Sequence, residues 1–146
     1  MLQSQTVLGA VHTVDISNNA QIGVEGAQAF ATFIPAAQAL QWLIVGPKAT
    51  RIPVHDPDVT TFDLSDEDLG VCEAVLVAAA ILTLENVVSV NLSNCPRLAG
   101  ATKSNWMVLR RRYTWASSTA DSDLSGLKAL CKAWQTRATL TAINLR

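Results

Sequence analysis

The chain has 146 residues, of which 49% are hydrophobic and 16% charged. This composition is typical of one globular domain and excludes a disordered segment. No stretch approaches the roughly 18 uninterrupted apolar residues of a membrane helix, so the sequence predicts no membrane span. The net charge of −1 hides an asymmetry, because residues 1–96 carry 2 basic and 10 acidic side chains whereas residues 97–146 carry 9 basic and 2 acidic ones. We therefore expect an acidic first part and a basic last part.

One short pattern recurs along the chain, with apolar residues at its first, fourth and sixth positions and Asn or Cys at its ninth. Residues 87–95 (VVSVNLSNC) and 11–19 (VHTVDISNN) match it completely. Residues 59–67 and 140–145 match it in part, and residues 40–45 and 110–115 are looser copies. The central apolar residues of the six copies are Val14, Leu43, Phe62, Val90, Tyr113 and Ile143. Alternate residues of a strand point to opposite faces, so each copy predicts a short strand with these residues facing inward.

The segments between the copies complete the predicted order of elements. Residues 46–58 contain three prolines and no helical period, which predicts an extended crossover. The apolar spacing of the last helix predicts one buried face, formed by Leu124, Leu127, Leu130, Cys131 and Trp134. In chain order, we predict a strand at 11–16, a helix at 25–34, a strand within 36–45, the crossover at 46–58, a strand at 59–64, a helix at 70–82, strands at 87–92 and 108–115, a helix at 124–136 and a final strand that ends the chain.

A family resemblance follows from the first copy and the residues after it. Residues 14–19 (VDISNN), then 22–27 (IGVEGA), then Phe30 and Phe33 resemble the ribonuclease-inhibitor-like class of leucine-rich repeats. The resemblance implies an α/β right-handed solenoid, a horseshoe segment with a short parallel sheet on its concave side and helices on its convex side. It implies a single domain over residues 1–146, with about six irregular repeats. In such repeats the ninth position bonds buried backbone groups, a role expected here for Asn19 and Cys95.

The resemblance further implies protein–protein interaction without catalysis, as a scaffold subunit of a larger complex. Such solenoids bind partners on their concave face, which the outward strand positions form. Trp42, Asp63 and Arg112 stand out there, because Trp and Arg are common in binding hot spots. The predicted contact residues are Asp15, Trp42, Asp63, Asn91, Arg112, Thr114 and Asn144. The unpaired edge of the last strand also predicts either a fragment or a subunit whose edge a partner covers.

Two alternatives remain open. In residues 110–115 basic and aromatic side chains alternate, which is typical of RNA or phosphate binding, and Arg110, Arg111 and Arg112 would make the contacts. The interpretation that we favour places Tyr113 and Trp115 in the core. The other alternative is a GTPase-regulatory role, which proteins with this repeat class can have and which no residue here selects.

Catalysis, metal binding and export are not predicted. His12 and His55 are the only histidines, and no catalytic or cofactor motif occurs, so we expect neither an enzyme nor a cofactor. The acidic run 66–68 is better explained as a solvated turn before a helix than as a cation site. The three cysteines are widely spaced, and no basic residue precedes Lys48, which favours an intracellular protein, with the cytoplasm as the expected compartment.

Overall fold

The described residues form both helices and strands, and the predicted α/β class is confirmed. The computed structural model describes residues 9–99 and 124–145, so the predicted strand at 108–115 lies outside the described residues. The elements are β1 (Thr13–Asp15), α1 (Gly23–Phe33), a 3-10 turn (Ile34–Ala36), β2 (Trp42–Val45), β3 (Thr50–Pro53), β4 (Thr61–Asp63), α2 (Val71–Thr83), β5 (Ser89–Asn91), a second 3-10 turn (Pro96–Ala99), α3 (Ser125–Thr136) and β6 (Ala142–Asn144).

Central residues of the sequence pattern face one another in the sheets, and the pairings of Val14 with Leu43 and of Phe62 with Val90 agree with the prediction. Val14 lies opposite Leu43 in the parallel pair of β1 and β2. Val90 lies opposite both Phe62 and Ile143, in the parallel pairs that β5 forms with β4 and β6. Leu43 and Val90 are fully buried. The repeated apolar positions therefore fix the register of three parallel pairs, because a slip of one residue would turn each inward side chain outward.

The prediction of one continuous parallel sheet is wrong. The described strands form two three-stranded sheets, in the orders β1-β2-β3 and β4-β5-β6. Strand β3 runs antiparallel to β2, and it lies within the predicted extended crossover. Strand β5 bonds directly to β6, so the predicted strand order, with a further strand between these two, is also wrong.

The turns that leave β1, β4 and β5 share one backbone conformation. In each turn the third residue after the end of the strand has a positive φ: Asn18 (57°), Asp66 (59°) and Asn94 (57°). Asn and Asp tolerate this left-handed conformation better than other L-residues, because their short side chains bond locally. The three turns are therefore built by the same residue types at the same distance from their strands.

The chain after β2 takes another path because of Pro47. Pro47 occupies the position where the other turns have a left-handed Asn or Asp, and its ring fixes φ near about −65°. The preceding Gly46 takes the positive φ instead, at 75°. The Ala49 N–H donates to the Gly46 carbonyl at 3.4 Å, and the chain turns back as a hairpin into β3. One proline thus replaces a repeated turn with an antiparallel strand.

Helix α2 lies at the centre of the helical layer. It packs against both α1 and α3, and all eight residues from Ala74 to Ile81 are buried. A helix that is apolar on every side is suited to such a position. Gly126 lets α3 approach α2 closely, since a Cβ there would lie 2.6 Å from the Ala74 Cβ.

The predicted buried face of α3 is only partly correct. Leu130 is buried, but Leu124 and Trp134 are each 45% exposed, and Cys131 is exposed. Gly126 and Ala133 face the core instead. The close approach of two helices favours small side chains at the contact, so α3 is rotated relative to the face that its large apolar residues predict. None of the helices in residues 9–99 and 124–145 has the length and apolar character needed to span a bilayer.

Removal of the Leu92 side chain should test the core. Leu92 is 1% exposed, so Leu92→Ala should lower the free energy of unfolding by about 2–5 kcal/mol through lost burial and a residual cavity. Val88→Ala is the matched control, because Val88 is 41% exposed and should change stability by no more than about 0.5 kcal/mol. Urea unfolding followed by circular dichroism gives both values. Equal losses would contradict the inward position of Leu92.

The left-handed turn can be tested at Asn18. Asn18→Val should cost about 1–2 kcal/mol, because a β-branched side chain clashes with the backbone at positive φ. Asn18→Gly should stay within about 0.5 kcal/mol of the wild type, since glycine adopts this conformation without steric cost. Chemical unfolding of the two variants side by side measures the difference. A glycine variant as unstable as the valine variant would show that the side chain of Asn18, and not its backbone conformation, matters.

Candidate interaction surface

The strands turn one face to the apolar core that they share with the helices, and the other face points away from that core. Opposite residues of paired strands lie on the same face, so the register assigns the outward set. Pro53 belongs to this set by register but is buried. We call the rest of the set the open face: Thr13, Asp15, Trp42, Ile44, Arg51, Thr61, Asp63, Ser89, Asn91, Ala142 and Asn144. Five of the seven predicted contact residues belong to it. Arg112 and Thr114, together with Arg110 and Arg111 of the RNA-binding alternative, lie outside the described residues.

A polar row crosses the second sheet. Asp63, Asn91 and Asn144 lie opposite one another in adjacent parallel strands. Asp63 and Asn144 are exposed, and Asn91 is half-buried. Adjacent strands are about 4.8 Å apart, so the row spans about 10 Å and offers carboxylate and amide groups to one partner.

An aromatic and charged patch lies on the first sheet. Trp42 is 37% exposed and lies opposite Pro53, while Ile44 lies between Asp15 and Arg51. Asp15 and Arg51 are two strand spacings apart, about 10 Å, so each presents its charge without a direct ion pair to the other. The patch therefore combines the residue types that dominate binding energy in protein interfaces.

Arg51 is a residue of the open face that the sequence analysis missed. The prolines of residues 46–58 suggested an extended crossover, and an Arg on a crossover has no assigned face. The structure shows alternating burial at this point, because Thr50 and Ile52 are buried and Arg51 is exposed, but the sequence Thr50-Arg51-Ile52 does not alternate between apolar and polar residues. Period-2 burial of this kind is typical of a half-buried strand.

Local hydrogen bonds hold three of the predicted contact residues. Asp15 accepts from the Ser17 N–H at 2.9 Å, and Asp63 accepts from the Ser65 N–H at 2.8 Å. Asn91 accepts in the same way from the Ser93 N–H, at 3.1 Å. These Asx turns end each strand and keep the side chains in fixed positions. The residues thus have a structural role in addition to the binding role that the sequence predicts.

The same contacts lower the pKa of both carboxyls. The Ser17 hydroxyl, and then the Ser17 N–H, lower the pKa of Asp15 below its ordinary value. The Ser65 hydroxyl and N–H do the same for Asp63, with a smaller effect from the Asn91 side chain. Both groups are therefore ionised at neutral pH, which makes this part of the open face anionic.

The two residues expected to bond buried backbone groups differ. The Cys95 thiol is buried and donates to the Leu64 carbonyl at 3.3 Å, as predicted. Asn19 is exposed, and its amide donates to the Ser17 carbonyl only two residues away, at 3.3 Å. The prediction for Asn19 is wrong, because its side chain bonds a carbonyl of its own surface loop and does not reach a buried backbone group.

Both histidines contact backbone carbonyls. His12 Nδ1 lies 2.9 Å from the Ala10 oxygen, and His55 Nε2 lies 3.0 Å from the Ile34 oxygen. The backbone N–H of His55 donates to the Thr83 hydroxyl at 3.1 Å. His55 therefore connects the carboxyl ends of α1 and α2.

A cleft of about 690 Å3 lies beside the amino end of α2. Its charged groups already have partners in the protein: Asp68 pairs with Arg97 at 3.7 Å, and Glu73 accepts from the Gly70 N–H at 2.9 Å. Glu67, from the acidic run before α2, accepts from the Thr50 hydroxyl at 2.6 Å. Within the described part of the chain, no group of three potential ligands is placed to hold a metal ion. The open face is therefore the stronger candidate surface.

Comparison with protein-family models, with curated proteins and with solved structures finds no match. The functional interpretation accordingly depends on the chemistry of the surface alone.

The lowered pKa of Asp63 predicts a defined loss of stability in acid. Its carboxyl contributes stability above the pKa of the unfolded chain, about 3.9, and loses it as the pH falls through the lower folded value. Unfolding free energy should therefore fall below about pH 4, and less steeply in Asp63→Asn, which keeps an acceptor for the Ser65 N–H but does not titrate. Carboxyl NMR titration with urea unfolding at each pH measures both effects.

The variant Ser65→Ala is the control for the cause. It removes the hydroxyl that lowers the pKa of Asp63 most, so the carboxyl should titrate closer to its ordinary value. A wild-type pKa for Asp63 at or above that ordinary value would contradict the assigned hydrogen bonds.

Proposed function

We propose that this protein is a non-catalytic interaction module that binds a protein partner through the open face and acts as a scaffold subunit of a larger complex. The observation that carries the proposal is the patch formed by Trp42, Arg51 and Asp15 on the first sheet, together with the polar row of the second sheet. Exposed Trp and Arg side chains on one surface are typical of a hot spot. The outer edge of β6, which has no strand partner among the described residues, is a second contact region under the same proposal.

The chemistry of the open face favours a protein over other ligands. None of the described cleft's lining residues belongs to the open face, whereas small molecules are usually held in concave pockets. Its two carboxylates have lowered pKa values and would repel a phosphate backbone. The Asx turns fix the polar groups before binding, so less side-chain entropy is lost when a partner binds.

We further propose that the fold is an irregular solenoid of the leucine-rich-repeat type. Three features support it: the parallel register of the repeated apolar positions, the shared left-handed turn and the buried thiol of Cys95. In this proposal the hairpin of β2 and β3 replaces one regular unit and divides the sheet. The thiol of Cys95 must be reduced to donate, which favours a cytoplasmic location.

Charge reversal on the open face should reduce partner binding without unfolding the protein. Affinity purification from the native cell, followed by mass spectrometry, would use the wild type, Trp42→Ala and Asp63→Lys as baits. Partner recovery should fall about tenfold or more for Trp42→Ala, since loss of a hot-spot residue costs about 2 kcal/mol or more. Calorimetry with the purified partner then gives the change in affinity.

The matched control is Glu85→Lys. It makes the same charge change as Asp63→Lys at an exposed residue between α2 and β5, away from the open face. Recovery with this control should equal that of the wild type. If all three variants recover the partner equally while their thermal unfolding is unchanged, the open face is not the binding surface.

A further inference from the structure

The end of the molecule formed by α3 and β6 carries an apolar stripe that no described residue covers. Leu124 and Trp134 are each 45% exposed, and Leu145 is 52% exposed. Cys131 is also exposed, and its spacing from Leu124 and Trp134 places these three residues along one side of α3. Gly126, Leu130 and Ala133 form the contact of α3 with the core, so the stripe lies on another side of the helix. A cluster of large exposed apolar residues is more typical of a surface that contacts a partner than of a surface that faces only solvent.

Within the described residues, the outer edge of β6 has no strand partner. On its other edge, the Ala142 N–H donates to the Val88 carbonyl at 3.1 Å and the Asn144 carbonyl accepts from the Leu92 N–H at 2.7 Å, so both bonds go to residues that flank β5. Because peptide groups of alternate residues point to opposite edges of a strand, the N–H and C=O of Ile143 point away from β5. β6 is the last strand of its sheet in the described structure, so this edge can accept another parallel strand.

Strand β1, the first strand in the chain, also has one edge whose peptide groups point away from its neighbour β2. The His12 carbonyl accepts from the Trp42 N–H at 3.1 Å, and the Ile16 N–H donates to the Ile44 carbonyl at 2.9 Å. The peptide groups of Thr13 therefore point away from β2. Strand β1 pairs with β2 in parallel, so a further parallel strand on its outer edge would extend the same ladder.

The two ends carry opposite charges. Residues 9–47, which include β1 and α1, contain Asp15 and Glu25 but no Lys or Arg. Residues 124–145, which include α3 and β6, contain Lys128, Lys132 and Arg137 but no Asp or Glu. Contact of either end with itself would place like charges together, whereas contact between unlike ends is complementary. The charges therefore favour a head-to-tail contact over a two-fold symmetric one.

We infer that the α3–β6 end of one copy binds the β1–α1 end of a second copy. In this contact β6 adds to β1 as a parallel strand, and the stripe of Leu124, Cys131 and Trp134 packs on the α1 side. The inference rests on the proposed interaction role and deepens it by naming the partner of the β6 edge, and it does not depend on Trp42, Arg51 or Asp63 of the open face. A head-to-tail contact leaves one end of each kind unoccupied, so assembly continues with rising concentration.

Two variants block one end each. Trp134→Asp removes the largest residue of the stripe and places an acid opposite the acidic end. Thr13→Pro removes an N–H that points to the outer edge of β1 and leaves the hydrogen bonds to β2 in place, since His12 and Ile16 make those bonds. Glu25→Lys is a second variant of the β1–α1 end in case the proline impairs folding. The matched control is Val88→Asp, an exposed apolar residue that belongs to neither end.

Sedimentation equilibrium of the full chain tests the contact. The mass of the wild type and of Val88→Asp should rise with concentration from the 15.6 kDa of one chain. The rise should be smaller in about 500 mM than in about 50 mM salt, because screening weakens the charge attraction. Trp134→Asp and Thr13→Pro should each remain monomeric alone. Their equimolar mixture should form a dimer of one chain of each, because each variant keeps the end that the other lacks.

Three results would overturn the inference. The wild type could stay monomeric at all concentrations, the mixture could fail to form the mixed dimer although both chains are folded by circular dichroism, or variants of the β1–α1 end could still self-associate. The last result would show that the α3–β6 end pairs with itself. Asp63→Lys, which should weaken partner binding, should assemble like the wild type, so failure of one contact is distinguishable from failure of the other.

Discussion

The burial of α2 is the constraint that holds the two sheets in one structure. No strand pair joins β3 to β4 in the described residues, yet Ile52 of the first sheet and Val90 of the second belong to the same apolar core as α2. The Thr50–Glu67 hydrogen bond also links the two halves. Burial of one aliphatic side chain contributes about 1.5–3 kcal/mol to stability. A typical hydrogen bond contributes a net of only about 0.5–1.5 kcal/mol. With eight consecutive buried residues in α2, packing on this helix dominates the connection.

The rigidity of the open face follows from that packing. Inward residues such as Leu43 and Val90 are fixed in the core, and a strand with one face fixed has only one register open to it. The outward Asp15, Asp63 and Asn91 are then held by the N–H groups two residues later. A surface made from the backs of buried strands is therefore preorganised, although each strand has only three or four residues.

The sequence predicted the parts of the fold that depend on local periodicity. The repeated apolar positions gave the register of Val14 with Leu43 and of Val90 with Phe62, because alternation along a strand is a local property. The failures concern tertiary geometry. The effect of Pro47 is evident only when its position is compared with the left-handed turns after β1, β4 and β5. The contact face of α3 depends on how closely Gly126 approaches α2. Arg51 was missed for the same reason, since its place on the open face follows from the hairpin.

The break in the repeated pattern supplies the chemical contrast of the open face. A turn like those after β1, β4 and β5 at Gly46 and Pro47 would lead the chain away from the sheet, and no strand would then carry Arg51 beside Ile44. Without Arg51 the described part of the open face would hold acids, amides, small residues and Ile44, with Trp42 as its one aromatic side chain. Among the described residues, the hairpin thus adds the one basic side chain of this face to the sheet that carries Trp42, which is 37% exposed. A partner that complements both must have an apolar pocket near an acidic group, which gives the surface a selectivity that a uniform polar sheet would lack.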